Sequence, residues 1–149
     1  MKAEDETVVK ETDFETVSKA HKKIPEFDEN YLEEGYERKC PGNDPVHLVA
    51  KKGNDPVGYA VSYDKFNDGS YYVWMAGVRP ENRREGIMTQ IIEKATQIAG
   101  KKDYSSIKIK TRNENKEMRH FLIDKGFEVC GYNEKETVDE SEILHKKSI

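Results

Sequence analysis

An apolar strand in this sequence runs directly into a short loop and a long helix. This unit spans Val73–Thr89, and its loop carries Arg83, Arg84 and Gly86. Apolar residues recur at helical spacing over Arg84–Ala99, as in an amphipathic helix with one buried side. The unit favours a fold in which helices cover a sheet.

The start of this helix has the properties of an anion-binding site. The first turn of a helix leaves backbone N–H groups unpaired and carries partial positive charge, and Gly86 would let a ligand approach the backbone closely. The alternative is that Gly86 only permits tight packing. Arg83 and Arg84 favour the anion, because cations are disfavoured at a helix N-terminus unless an anion neutralises them.

The rest of the chain alternates between strand and helix patterns. Two helices begin after Asp13 and Asp28, and another covers Asn115–Lys125. We therefore predict one α/β (α+β) domain over residues 1–149, with a mixed central sheet of about six to seven strands and helices on both faces. The predicted strands are Thr7–Lys10, Val46–Lys51, Val57–Tyr63, Tyr71–Val78, Ser106–Thr111, Phe127–Tyr132 and Glu142–Lys146.

Composition excludes several classes of partner. The chain has a formal net charge of −4, so general attraction to nucleic acid or to an acidic membrane is not expected. No run approaches the ~20 apolar residues of a membrane span. The first six residues lack the apolar run of a signal peptide, so we expect a cytoplasmic protein. Cys40 and Cys130 lie far apart, and His47, His120 and His145 show no ligand spacing, so we predict no metal.

Two motifs resemble those of a known family. The first follows the pattern Val-x-Pro, then Gln/Arg-x-x-Gly-x-Gly/Ala, except that Met88 replaces the usual small residue. Its matching residues are Val78, Pro80, Arg83 and Gly86. The second, Asn115–Phe127, follows the pattern of Asn, a helix and Gly-Phe. On both, the chain resembles the GNAT superfamily of N-acetyltransferases.

The resemblance implies acetyl-CoA as cosubstrate. In this family the fourth and fifth strands separate, and the pantetheine arm enters between them. By position, the backbone of Ala76 and Val78 would bond the arm, Asn115 would contact its other side, and amides of Arg84–Thr89 would hold the pyrophosphate beside Arg83. The cosubstrate-binding residues implied are Ala76, Val78, Arg83, Arg84, Gly86, Ile87, Met88, Thr89 and Asn115. The amine would attack the thioester carbonyl directly, without a protein nucleophile.

The same resemblance leaves the proton transfers without their usual residues. Many members carry a Glu on the fourth strand and a Tyr four residues before the Gly-Phe glycine. Here that strand has no carboxylate, and the Tyr position holds Leu122, which we expect to pack on the apolar side of its helix. The candidate catalytic residues are Tyr72 and Glu33, with Asp64, Asp28 and Glu34 as further candidate bases and Tyr132 or a water as candidate acid.

The acceptor implied by the resemblance is a primary amine on a small molecule or a peptide, bound by the first two helices and the loop between the strands near the end of the chain. Acidic residues on the second helix favour a cationic amine, and a merely solvated helix face is the equal alternative. They are Asp28, Glu29, Glu33, Glu34 and Glu37. The rival to an enzyme is a catalytically silent acyl-CoA-binding sensor or interaction module. A larger acyl group and a homodimer are both compatible with the sequence.

Overall fold

The computed structural model describes residues 6–149; residues 1–5, most of the N-terminal stretch assessed for a signal peptide, lie outside the described residues. The elements follow the order predicted from the periodicities. They are β1 (Thr7–Glu11), α1 (Phe14–Lys22), α2 (Tyr31–Lys39), β2 (Val46–Lys52), β3 (Asp55–Tyr63), β4 (Ser70–Val78), α3 (Ile87–Lys101), β5 (Ser106–Arg112), α4 (Lys116–Asp124), β6 (Glu128–Asn133) and β7 (Glu142–Ser148).

The strands form one mixed sheet in the order β1-β2-β3-β4-β5-β7-β6. Strands β4 and β5 pair in parallel, and every other neighbouring pair is antiparallel. A parallel pair needs a crossover connection, and α3 provides it. The predicted mixed sheet with helices on both faces is confirmed, whereas the single-domain organisation over residues 1–149 stays a prediction.

Each face of the sheet has its own apolar core, because successive side chains of a strand point to opposite faces. On one face, called here the α3/α4 face, Ile91 and Leu122 pack on the strands with no exposed surface. On the other, the α1/α2 face, Leu32 and Tyr59 are equally buried. Within residues 6–149, no helix is long and apolar enough to cross a membrane.

The helices differ in how they begin. Asp13 caps α1 by accepting a hydrogen bond from the Thr16 N–H (2.9 Å), and Asn115 caps α4 by accepting one from the Met118 N–H (3.2 Å). Gly86 precedes α3 without a side-chain cap. The first N–H groups of α3 therefore remain available for a ligand.

Candidate active site

Strands β4 and β5 separate in the middle of the sheet. They pair from Ser70 with Ser106 to Val73 with Ile109, although both strands continue for several more residues. At the same point Trp74 forms a bulge against β3, because Val61 faces Met75 while Ser62 faces Val73. A bulge bends its strand and increases the local twist. The bend opens a gap between the two strands beyond Val73, and Val73 marks its apex.

The backbone of β4 beyond the apex presents hydrogen-bonding groups to this gap. The Arg79 N–H donates to the Val57 carbonyl oxygen of β3 (2.8 Å), so the main-chain groups of residue 79 point toward β3. Because these directions alternate along a strand, the main-chain groups of Val78 and Ala76 point away from β3 and into the gap. These are the two residues predicted to bond an extended ligand.

The loop before α3 adopts a conformation suited to anions. Arg84 (φ +67°) and Gly86 (φ +79°) both lie in the left-handed region, and α3 begins at Ile87. Alternating left- and right-handed residues turn successive N–H groups toward one point, which creates a concave anion site. A Cβ on Gly86 would meet no atom within 4 Å, so this glycine is required by its backbone angle and not by tight packing.

The gap and the loop form one cleft of ≈480 Å³. All nine residues predicted to bind the cosubstrate line it: Ala76, Val78, Arg83, Arg84, Gly86, Ile87, Met88, Thr89 and Asn115. Sequence reasoning missed Met118 and Phe121, which line the side formed by α4. Their helical spacing indicated an apolar side of α4, but it gave no sign that this side borders a cleft.

Sequence reasoning also missed the segment between α1 and α2, which places Glu26 and Phe27 at the cleft. His21 anchors this segment, because its Nε2 bonds the Asp28 carbonyl oxygen (2.7 Å) and its Nδ1 bonds the Tyr59 hydroxyl (2.6 Å). The imidazole therefore donates from Nε2 and accepts from the Tyr59 O–H at Nδ1. A Cβ on Gly77 would lie 2.6 Å from the Phe27 ring, so only glycine allows this contact.

The two loop arginines differ in their partners. Arg83 forms an ion pair with Glu26 (2.5 Å), and its Nε donates to the Val78 carbonyl oxygen (3.0 Å). Among the described residues, Arg84 forms no ion pair, and Glu85 pairs instead with Lys52 (3.0 Å). An anion at the start of α3 would therefore meet one arginine with no carboxylate partner and one already held across the mouth of the cleft.

The predicted catalytic residues lie outside this cleft. Tyr72 is 2% exposed and packs among aromatic rings on the α1/α2 face, where burial raises the pKa of its phenol. Glu33 accepts a hydrogen bond from Ser18 (2.8 Å) and pairs with Lys22 (3.2 Å), and these contacts lower the pKa of its carboxyl group. Neither residue lines the cleft. Their catalytic roles stay predictions.

The other candidates are also placed by the structure. Leu122 packs in the core of the α3/α4 face beside Met118, as expected from its helix position. Asp64 accepts a hydrogen bond from Tyr104 (3.1 Å), and Tyr132 is 59% exposed on β6. The carboxylate of Asp28 caps the turn at the Asn30 N–H (2.9 Å), and Glu34 is exposed on α2. Residues 6–149 contain no group of three potential metal ligands.

Comparison of the sequence with models of protein families shows which family the chain belongs to. Residues 16–127 match the family model described as the acetyltransferase (GNAT) family. The chain belongs to the GNAT family of acetyltransferases. No curated protein matches it in sequence.

Solved GNAT structures share the fold at low sequence identity. The ribosomal-protein-S18-alanine N-acetyltransferase from Escherichia coli superposes with a TM-score of 0.78 at 14% identity, covering 97% of this chain and 94% of that one. The IAA acetyltransferase from Bacillus cereus gives 0.78 at 15% identity, with 97% and 100% coverage. A GNAT family acetyltransferase from Elizabethkingia anophelis with acetyl-CoA bound gives 0.76 at 16% identity, with 97% and 99% coverage.

Proposed function

We propose that this GNAT protein binds acetyl-CoA in the cleft between β4 and β5 and transfers its acetyl group to a primary amine. The observation that carries the proposal is the joining of two ligand sites in one cleft. The loop at Arg84–Gly86 offers convergent N–H donors, and the unpaired side of β4 offers main-chain groups next to it. The Elizabethkingia anophelis relative, whose fold is shared, was solved with acetyl-CoA bound.

The pyrophosphate of the ligand would lie on the loop before α3. The N–H groups of this turn and the partial positive charge of the helix favour a doubly charged group, and Arg84 adds a formal charge. Arg83 would exchange its contact with Glu26 for a phosphate oxygen or share itself between the two. Asn115, whose Oδ1 already caps α4, would use its Nδ2 for the ligand.

The arm of the ligand would follow β4 toward the apex. An extended chain with amide groups can add to an exposed strand, with the main chain of the strand supplying the hydrogen bonds. Val78 and Ala76 offer their groups on this side. From Val78 to Val73 the strand rises roughly 16 Å at about 3.3 Å per residue, which carries the ligand from the loop to the point where the strands separate.

The chain's own contribution to the reaction is positioning. Acetyl-CoA supplies an activated acyl group in its thioester, and the main-chain N–H groups near the bulge at Trp74 would hold and polarise the acyl carbonyl. The amine must lose a proton to attack, because alkylamines have pKa values near ~10. We do not assign this proton to Tyr72 or Glu33, since Tyr72 is buried with a raised pKa and Glu33 is held by Ser18 and Lys22.

A catalytically silent acyl-CoA sensor is the second candidate, and Leu122 favours it, since the family's usual Tyr is absent there. A thiol-release assay with acetyl-CoA and a panel of cationic, neutral and acidic amines, run beside a binding titration, separates the two. Release that depends on an amine supports transfer. Tight binding without release from any amine or peptide would support the sensor, and no binding would refute both.

A matched pair of variants ties the result to the cleft. Ala76→Phe places a ring in the cleft and should abolish binding and release together. Val129→Phe adds the same ring to an exposed position of β6 and should leave both unchanged. If Ala76→Phe binds acetyl-CoA as the unmodified chain does, the ligand lies elsewhere.

A further inference from the structure

Lysines and aromatic rings gather on the α1/α2 face of the sheet, beside the apex of the cleft. They come from α2, the β3–β4 connection, β4 and β5. We name them the lysine–aromatic patch: Lys39, Lys65, Lys108 and Lys110 with Phe66, Tyr72 and Trp74.

The β3–β4 connection forms one half of this patch. The Lys65 Nζ lies 4.9 Å from the ring centroid of Tyr72 and 5.7 Å from that of Phe66. The Lys108 Nζ lies 4.5 Å from the ring centroid of Phe66. Ring faces attract ammonium groups at such distances, so these contacts favour positions of the two cations over the rings.

Trp74 forms the other half. Its ring packs on α2, where a Cβ on Gly35 would lie 2.8 Å from it, and the Lys39 Nζ lies 5.7 Å from its centroid. Tyr31, 48% exposed, lies beside it with ring centroids 6.0 Å apart. The half-buried indole therefore lies near both the exposed Tyr31 ring and the ammonium group of Lys39.

The charges of the patch are incompletely neutralised. Lys108 pairs with Asp68 (2.9 Å), and Lys110 pairs with Glu142 (3.3 Å), which is also within 3.8 Å of Lys135. Among the described residues, Lys39 and Lys65 form no ion pair with a carboxylate. Burial, together with the charges of Lys110 and Lys39, lowers the pKa of Lys65.

The patch borders the apex of the cleft. Trp74 directly follows Val73, and Lys110 directly follows Ile109, the last residues that pair between β4 and β5. The α3/α4 side of the cleft would be filled by the cosubstrate. An acceptor would then reach the apex from the α1/α2 face, with its remaining groups against the patch.

We propose that the acceptor is a primary amine that also carries a carboxylate, and that the lysine–aromatic patch binds this carboxylate. The inference rests on the proposed transfer function and adds the substrate class. It favours acidic amines over the cationic amines that the acidic residues of α2 suggest. Glu33, one of those residues, is already engaged with Ser18 and Lys22.

Trp74 is the single tryptophan of the chain, so its fluorescence reports directly on the patch. We would titrate the protein, saturated with CoA, with leucine and with leucinamide, which differ by the carboxylate. Leucine should bind about fivefold more tightly, the factor expected for one partly exposed charge pair. The difference should shrink as salt rises, because salt screens exposed charges.

Variants of the lysines complete the test. Lys65→Met keeps the aliphatic stem and should bring the two affinities together, whereas Lys65→Arg should restore the preference. Lys19→Met, at an exposed position of α1, should leave the preference unchanged. Lys110→Met provides a second removal, and thermal unfolding verifies that each variant is folded. Equal affinity in the unmodified protein, a preference that survives both removals, or no fluorescence response would overturn the proposal.

Two further experiments test whether the carboxylate belongs to a peptide or to a free amino acid, and whether the patch proposal and the transfer proposal fail separately. Dipeptide amides that begin with Glu or with Gln differ only by a side-chain carboxylate, and their titration tests whether a carboxylate on the N-terminal residue of a peptide binds more tightly than that of the free amino acid. Thiol release from acetyl-CoA is measured with the same compounds. Absence of release with a preserved preference for leucine would refute transfer alone, whereas release without that preference would refute the patch alone.

Discussion

Gly86→Ala separates the conformation of the α3 loop from its proposed role in binding. At φ +79° an L-residue is strained, and the cost is about 1–2 kcal/mol, partly offset by the lower unfolded-state entropy of alanine. No atom lies within 4 Å of the added Cβ, so no steric term is added. For a chain of this length, a net loss of about 1 kcal/mol lowers Tm by roughly 2–4 °C.

Gly42→Ala is the matched control. Gly42 has φ +81°, and its added Cβ would also meet nothing within 4 Å, but it lies in the connection between α2 and β2. Both variants should therefore lose the same stability. Only Gly86→Ala should lose affinity for CoA, because relief of the strain turns N–H donors away from the pyrophosphate. Losing one hydrogen bond to a charged group weakens binding by about 1.5–3 kcal/mol, which is tenfold or more.

The assay is thermal unfolding of the three proteins with and without CoA, followed by calorimetric titration. The ligand-free midpoints of the two variants should agree, and the CoA-induced rise in Tm should be smaller for Gly86→Ala alone. If Gly86→Ala binds CoA as tightly as Gly42→Ala does, the pyrophosphate does not lie at the start of α3, and the placement of the ligand is wrong.

Three other outcomes are expected. Tyr72→Phe and Glu33→Gln should each retain thiol release within about threefold, because the Tyr72 hydroxyl is buried with a raised pKa and the Glu33 carboxylate is held by Ser18 and Lys22. A loss above a hundredfold in either variant would establish that residue as the base. Arg84→Gly should raise the KM for acetyl-CoA about fivefold with an unfolding free energy within about 1 kcal/mol of the unmodified chain, since it removes an unpaired charge and a left-handed strain together. Burial lowers the pKa of His145 below its ordinary value near 6.5, so as pH falls the imidazole takes up a proton in the unfolded chain before it does in the folded chain, and the free energy of unfolding decreases below about pH 6.5. In denaturant titrations at pH 7 and 5, His145→Gln should make that decrease smaller.

Local patterns predicted most of the fold. The apolar spacing of α3 and the strict alternation of Ser106–Arg112 depend on neighbours in sequence, so the elements and their order could be read directly. The start of α3 was predicted three residues too early, at Arg84, because Arg84 and Gly86 adopt left-handed angles and the helix begins only at Ile87. The nine residues assigned to the cosubstrate came from the resemblance to the GNAT family, and the structure places all of them on one cleft.

Long-range contacts determine what the sequence did not reveal. The separation of β4 from β5 depends on the Trp74 bulge, which exists only when Val61 and Ser62 pair across from it. The engagement of Glu33 depends on Ser18 and Lys22 in another helix. The sequence indicates the lysine–aromatic patch only in part, because strand alternation predicts that Lys108 and Lys110 share a face of β5. Only the fold brings them close to residues of α2 and β4.

The separation of β4 from β5 also leaves the last part of the sheet weakly joined to the rest through main-chain hydrogen bonds. Residues 106–149 supply β5, α4, β6 and β7 in one continuous run, and four residue pairs join their sheet to the other half. Such a run can open as a unit at a free energy below that of global unfolding. A ligand in the cleft would contact both halves and raise the free energy of that opening. Amide hydrogen exchange in β6 and β7 would then slow on ligand binding, although neither strand touches the ligand.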